Sequence, residues 1–210
     1  MIASHMGLIL FYKVLILSFL AAFTQYAQDA LNAEEVLRAV QKRYISGSSL
    51  RVKFVTKGEY SERGSLVLKR GNKYILELGN RTIICNGTIV WSYVPSEKKV
   101  IVSDFRQNFD GMSPERLFMN FPRTYRPNAI IDKGDILLKL SPSKARDQIG
   151  DMQHVEMRLS RNYVLKEIAV FDGSVLHEWE ILTIIPDAEV PDSAFEWKPP
   201  QGVEIVDLRD

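Results

Sequence analysis

The chain has 210 residues, and its 27 Lys and Arg residues nearly balance 26 Asp and Glu residues, which gives a formal net charge of +1 at pH 7. This balance, without any basic run or interleaving of basic and aromatic residues, argues against a nucleic-acid partner. Cys85 is the only cysteine, which excludes a small domain held together by internal disulfides.

Residues 1–27 have the pattern of a secretory signal peptide. Lys13 precedes the apolar stretch Val14–Phe23, whose length falls in the window of a signal-peptide core, and Ala27 is a small residue near the expected cleavage point. An uncleaved anchor is the alternative, although extending the stretch to about 20 residues places Lys13 in its middle. We therefore expect export to the periplasm, with residues 28–210 forming a single domain.

The first predicted element after this segment is a helix over Leu31–Ser46. Asn32 is the expected N-cap, with Glu35 three residues later as its capping-box partner. Apolar residues follow at helical spacing, and Gly47 is expected to end the helix in the left-handed conformation. The pattern predicts a helix that covers one side of a sheet.

Strand-like segments separated by turn signals follow. Asn86-Gly87 predicts a type I′ hairpin turn, because both central residues of that turn need positive φ. Such short connections join only antiparallel strands. The expected strands are Arg51–Thr56, Ser65–Arg70, Tyr74–Leu78, Thr82–Cys85, Thr88–Val94 and Lys99–Val102.

A short helix is predicted over Ser113–Phe121, with Ser113 as N-cap and Pro114 at the first helical position. Apolar residues surround nearly the whole helix, so it should be buried on more than one side. Two interpretations remain open: a core element between two layers, or a plug that a guest molecule displaces.

The second half returns to strands, with turns at Lys133-Gly134 and at Asp172-Gly173, the latter a second type I′ signal. The whole chain predicts about ten or eleven strands and a few helices. An antiparallel sheet of that size curls or closes, and the helices can cover its concave face. The expected strands here are Ala129–Asp132, Ile136–Leu140, Val155–Leu159, Tyr163–Phe171 and Val175–Ile185.

Catalytic patterns are sparse. The sequence has no phosphate-binding loop and no nucleophile elbow, and His154 and His177 are too isolated to form a metal cluster with Cys85. Glu178 and Glu180 share a strand face, but nothing indicates the cleft that an acid/base pair needs. We expect no catalytic residue, no metal and no cofactor, and therefore no enzyme activity.

Several segments resemble the periplasmic outer-membrane lipoprotein carrier proteins (LolA type). Leu66–Tyr74 is similar to the family's strand, Lys-Arg, turn and aromatic element, and Cys85–Pro95 is similar to its central hairpin. Ser113-Pro114 before an apolar helix resembles the lid of the family, and Phe195–Val203 resembles its C-terminal ending. The resemblance covers nearly the whole chain after residue 27.

The resemblance implies a mainly β fold, an incomplete, half-open antiparallel β-barrel with a helical lid over an apolar cavity. Arg70 would latch the lid by hydrogen bonds, and Tyr74 would lie at the cavity mouth. Gly71 departs from the family's usual Pro, so that loop is expected to be more mobile. Ordinary core packing is the alternative for the lining residues. The expected cavity and lid residues are Arg70, Tyr74, Leu76, Leu78, Trp91, Leu117, Phe118, Phe121 and Trp179.

The function implied is that of a chaperone that binds the acyl chains of lipoproteins and carries them from the inner to the outer membrane. Its expected partners are acylated lipoproteins, an inner-membrane ABC lipoprotein-release transporter and an outer-membrane acceptor, with the protein itself a monomer. A lipid-sensing or lipoprotein-sensing regulatory module of the same fold is the alternative. A membrane-anchored receptor would need a cysteine after the signal peptide, and none is present there.

Overall fold

The computed structural model describes residues 31–105, 115, 125–148 and 152–209. The predicted signal peptide and most of the predicted Ser113–Phe121 helix therefore lie outside the described residues. The chain begins with helix α1, Ala33–Val40, which continues as a π-helical turn, Gln41–Ile45. The strands are β1 Ser49–Lys57, β2 Arg63–Lys69, β3 Lys73–Leu78, β4 Arg81–Asn86, β5 Ile89–Val94, β6 Lys99–Asp104, β7 Tyr125–Asp132, β8 Asp135–Pro142, β9 His154–Leu159, β10 Leu165–Phe171, β11 Leu176–Pro186 and β12 Glu204–Asp207.

All the strands form one open sheet in the order β12-β6-β5-β4-β3-β2-β1-β11-β10-β9-β8-β7. The expected mainly β, half-open barrel is confirmed, with twelve strands among the described residues where the sequence predicted ten or eleven for the chain. β12 is the strand that the sequence missed, and it pairs parallel with β6. A long connection, residues 187–203, leads to β12, so the chain can reach the sheet edge in the same direction as β6.

Helix α1 lies where the sequence predicted a helix, and it begins directly after Asn32. Its apolar residues Val36 and Val40 are buried, and so is Tyr44 in the π turn. The helix contacts β7 and β8, and the π turn contacts β11. The Tyr44 hydroxyl accepts a hydrogen bond of 3.2 Å from the backbone N of Leu165 at the start of β10. No helix among the described residues is long and apolar enough to cross a membrane.

Side chains alternate between the two faces of the sheet along each strand, and the pairing of the strands aligns them from one strand to the next. The face that carries Leu50 and Leu66 is called the inner face here, and the opposite one the outer face. The inner face carries a cluster of buried side chains from β1 and β2, with residues of β3 and β11 packed against it. Its five buried members are Leu50, Val52, Phe54, Leu66 and Leu68.

Two of the hairpin turns differ from the expected type I′ geometry. Of Asn86 and Gly87, only Gly87 has positive φ, and the Asn86 side chain accepts hydrogen bonds from the backbone N atoms of Thr88 and Ile89. Asp172 likewise accepts from the residues that follow it, so neither turn is type I′. Lys133 and Gly134 both have positive φ, which places the type I′ geometry at that hairpin instead.

The expected left-handed conformation of Gly47 is also wrong, because its φ is not positive. A side chain there would instead displace a neighbouring carboxylate. A Cβ at this position would lie 2.3 Å from a carboxylate oxygen of Asp187. That carboxylate accepts a hydrogen bond of 2.9 Å from the backbone N of Ser48.

Replacing Gly47 with Ala should therefore displace the Asp187 carboxylate and lower the free energy of unfolding by about 0.5–1.5 kcal/mol, the net contribution of an ordinary hydrogen bond, because this bond is exposed to solvent. The measurement is urea unfolding of the parent, Gly47→Ala, Asp187→Ala and the double variant. The two single effects should be strongly non-additive, since both break the same bond. Additive effects would contradict this explanation.

Candidate functional site

A pocket of about 410 Å³ lies on the inner face of β3, β4 and β5. This volume falls within the range of small-molecule sites. Leu76, Leu78, Ile83 and Val94 provide its apolar wall. The polar residues around it are Glu62, Asn80, Arg81 and Glu97. This pocket, together with the partly buried apolar residues beside it, is called the groove below.

The strand register explains why these residues share one face. Leu76 of β3 lies opposite Leu66 of the buried cluster and opposite Ile83 of β4. Ile83 in turn lies opposite Ser92 of β5, and neither ladder contains a register shift. Since successive side chains of a strand point to opposite faces, Leu76, Leu78, Ile83 and Val94 all point to the inner face.

Tyr74 and Cys85 form the next cross-strand pair on this face. Burial, with a smaller contribution from Cys85, raises the pKa of Tyr74 to about 12. Burial also raises the pKa of the Cys85 thiol to about 11, against a weaker opposite effect of the Gly87 backbone N–H. Both shifts indicate apolar surroundings that disfavour charge, which suits an apolar ligand and not a catalytic nucleophile.

The outer face of the same strands is covered by the segment between β11 and β12. Asp192 accepts hydrogen bonds from the side-chain amines of Lys69 at 2.6 Å and Lys73 at 2.9 Å, and these bonds lower its pKa to about 2. Phe195 follows and is fully buried, in a 3₁₀ turn that contacts β3 and β4. Trp197 then packs against Tyr93, with ring centroids 5.4 Å apart.

Trp91 belongs to this outer layer and does not line the groove as the sequence analysis expected. It lies opposite Ile84, which lies opposite Ile75, the neighbour of Leu76 on the other face. Its ring centroid is 6.4 Å from that of Trp197. Grouping Trp91 with Leu76 ignored the alternation of side chains along each strand, which puts the two on opposite faces.

The other expected residues fall into three groups. Tyr74, Leu76, Leu78 and Trp179 share the inner face and pack against the buried cluster. Arg70 lies in the β2–β3 turn, where its Nε donates a hydrogen bond of 3.0 Å to the carbonyl of Gly47. The expected lid residues Leu117, Phe118 and Phe121 lie outside the described residues, so the role of Arg70 as a lid latch stays a prediction.

Glu115 is the described residue of the predicted lid helix, and its backbone is helical. Its side chain is buried and accepts a hydrogen bond from the backbone N of Asn72. Asn72 lies between Arg70 and Tyr74 in the chain, in a turn where Gly71 and Asn72 both have positive φ. The predicted lid helix therefore contacts the β2–β3 turn at this residue.

The acidic and histidine side chains considered in the sequence analysis do not line the groove. Glu178 and Glu180 alternate with Trp179 along β11, so they point to the outer face. His177 lies 2.9 Å from the carboxylate of Asp172 in the β10–β11 turn, and His154 contacts the ring of Phe171. Within residues 31–105, 115, 125–148 and 152–209, no three His, Cys, Asp or Glu side chains lie close enough to hold a metal ion.

Sequence reasoning missed Ile83, Val94, Arg81 and the acidic residues of the groove. The sequence did contain a usable signal for the apolar ones. Two-residue turns, Gly79-Asn80 and Gly87-Thr88, connect the three strands and fix which residues share a face with Leu76. The same signal covers Arg81, which lies in β4 two residues before Ile83 and therefore on the same face. For Glu62, Asn80 and Glu97 no such signal existed, because they come from separate loops that only the folded sheet brings together.

Comparisons with known proteins identify the fold and leave the family open. No family model and no curated protein sequence matches the chain. An uncharacterized conserved protein from Thermus thermophilus is similar in structure, with a TM-score of 0.53 and 12% identity over 83% of this chain and 98% of the other. That likeness shows a shared fold.

Two further structures align with lower scores. A DUF1329 family protein from Desulfovibrio piger ATCC 29098 has a TM-score of 0.44 and 9% identity, over 78% of this chain and 96% of that one. LprF from Mycobacterium bovis has a TM-score of 0.40 and 8% identity, over 81% and 97%. Scores in this range carry no argument about function.

The raised pKa of Tyr74 gives a test of the apolar character of the inner face. Above pH 10 the unfolded chain loses the phenolic proton, whereas the folded protein keeps it until about pH 12, so the free energy of unfolding should fall as the pH rises through this window. Tyr74→Phe should reduce that fall. Urea unfolding between pH 8 and pH 11 measures it, and parallel profiles for parent and variant would contradict the assignment.

Proposed function

We propose that this protein binds acyl chains of lipids or lipoproteins in the groove, and that it does so in the periplasm as a lipoprotein carrier. One observation carries the proposal: the chain covers the outer face of β3–β5 with its own Phe195 and Trp197, while the inner face of the same strands holds a pocket of about 410 Å³ with an apolar wall of four side chains. An apolar pocket with a polar rim fits a hydrocarbon chain whose head group remains in water.

The physical chemistry of acyl chains supports this choice of ligand. Burying a methylene group contributes about 0.8 kcal/mol, and four of the eight lining residues, Leu76, Leu78, Ile83 and Val94, offer branched aliphatic side chains to replace the contact with water. The neighbouring Tyr74 and Cys85 favour their neutral forms, as a hydrocarbon site requires. The polar rim contains both signs of charge, with Arg81 beside Glu62 and Glu97, so it does not select a strongly charged ligand.

The carrier role adds a second step, the transfer of lipoproteins from an inner-membrane ABC transporter to an acceptor at the outer membrane. It is supported by the order of motifs along the sequence and by the half-open barrel. The segment with the predicted lid helix meets the β2–β3 turn through Glu115 and Asn72, next to Arg70 and Tyr74. A sensor module of the same fold would share the groove and would differ in passing no cargo to a membrane.

Acyl binding in the groove predicts that Ile83→Asn weakens the affinity for a fluorescent fatty acid by at least about tenfold. The variant removes apolar contact from the wall, and the loss of about two methylene contacts corresponds to that factor. The matched control is Thr82→Asn, one residue earlier in β4 and on the outer face. Equal affinities for the two variants, with both folded by circular dichroism, would place the binding site elsewhere.

The carrier role predicts release of acylated lipoproteins from spheroplasts by the added protein. Arg70→Leu should still accept lipoproteins but deliver them poorly to outer membranes, because its guanidinium would no longer hold the closed state. The measurement is lipoprotein recovered in the soluble fraction and then in the membrane fraction. Release no higher than without protein would reject the carrier role, and normal delivery by Arg70→Leu would reject the latch.

A further inference from the structure

The alternation of the strands gathers four connections at one end of the sheet. β1 and β3 finish at this end, and β2 and β4 begin there, so the β1–β2 and β3–β4 loops lie together. The β5–β6 and β10–β11 connections lie at the same end by the same rule. The residues around the pocket include Glu62, Asn80 and Glu97, one from each of the first three loops, so the groove opens here. We call this the groove end.

Two neighbouring hairpins expose apolar side chains at the groove end. Tyr60 in the β1–β2 loop is 79% exposed, more than any other large hydrophobic residue among those the structure describes. Val175 and Leu176, where the β10–β11 loop enters β11, are 52% and 45% exposed. β1 and β11 pair directly, so these two hairpins lie side by side.

Hydrogen bonds hold the bases of both hairpins. In the first, the backbone N of Thr56 donates to the carbonyl of Glu62 at 2.9 Å, and the Thr56 hydroxyl accepts from the backbone N of Glu62 at 2.9 Å. In the second, the Asp172 carboxylate accepts from the backbone N atoms of Val175 and Ser174, which helps to keep the pKa of Asp172 well below its usual value. The exposed side chains therefore project from closed loops.

The chemistry of these tips fits a lipid bilayer better than a protein partner. A specific protein interface buries about 800 Å² on each partner, which three residues on two convex loops do not supply. A bilayer needs no complementary surface, and tyrosine is enriched at the level of lipid head groups. Charges near the tips are balanced, with Lys57, Arg63, Arg81 and Lys98 against Glu59, Glu62, Glu97 and Asp172.

We infer that the protein docks on membranes through Tyr60, Val175 and Leu176, with the groove end facing the lipid. In this orientation the mouth of the groove lies at the bilayer surface, and an acyl chain passes between lipid and protein with little exposure to water. That role in transfer rests on the proposed function, whereas the contact itself follows from the two hairpins. Because the local charge is balanced, docking should depend little on salt or on anionic lipid.

The contact is tested with an environment-sensitive fluorophore on Ser61→Cys, next to Tyr60, in the full chain. The matched control is Thr88→Cys, on the exposed β4–β5 turn at the opposite end of the sheet. Cys85 is fully buried and its pKa is raised to about 11, so a maleimide at neutral pH reacts with the introduced thiol. The probe used is a phosphatidylcholine vesicle.

A blue shift and loss of quenching by iodide at position 61, with no change at position 88, is the expected result. The fluorophore reports only on the surroundings of position 61. Insertion of the apolar residues 14–23 into the vesicle would therefore not produce the same blue shift there. No change at position 61, or an equal change at both positions, would overturn the inference. A blue shift of the fluorophore at position 61 that appears without vesicles when the protein concentration is raised would show that the tips mediate self-association. That result would also overturn the inference of a membrane contact.

The role in transfer is tested with the double variant Tyr60→Ser, Val175→Ser. Movement of a fluorescent fatty acid from the protein to vesicles should slow by about tenfold, the order expected for removing two apolar side chains from a membrane contact. Affinity for the fatty acid in solution should stay unchanged. An unchanged transfer rate would reject the role of the three tip residues in transfer. If the parent protein binds no fatty acid, the proposed function is rejected. The membrane contact is then decided by the fluorophore experiment alone.

Discussion

The covering of one face of β3–β5 by the chain itself is the constraint on which the rest of the site depends. Lys69 and Lys73 hold Asp192 over the outer face, and Phe195 and Trp197 then fill it. A sheet with apolar residues on both faces must bury both or leave one for a ligand. With the outer face closed by this segment, the pocket forms on the inner face.

The two halves of the sheet use the inner face differently. Helix α1 contacts β7 and β8, and the π turn contacts β11, so a permanent part of the fold covers this half. In the other half, Leu76 and Leu78 are only partly buried against the cluster around Leu50 and Leu68. Dense permanent packing gives the domain its stability, while looser packing over β3–β5 leaves space that an apolar guest can occupy.

Sequence reasoning predicted the type of most elements because it relied on local physics. The helix after Asn32 and the strands between short turns follow from apolar periodicity and from turn residues, which act within a few positions. Its errors came from contacts between distant parts of the chain. The space that Gly47 leaves is filled by the carboxylate of Asp187, which is far away in the sequence, and its own φ is not positive. Trp91 was grouped with Leu76, although the turn lengths already placed these two residues on opposite faces of the sheet.

The sequence by itself determined a large antiparallel sheet and an amphipathic helix over it. Only the tertiary structure decided which face of β3–β5 holds the pocket, that β12 returns parallel to β6, and that Tyr60 and Val175 lie on neighbouring hairpins at the groove end. The physical reason is that alternation along a strand defines two equivalent faces. Long-range packing, here by residues 187–203, must choose between them.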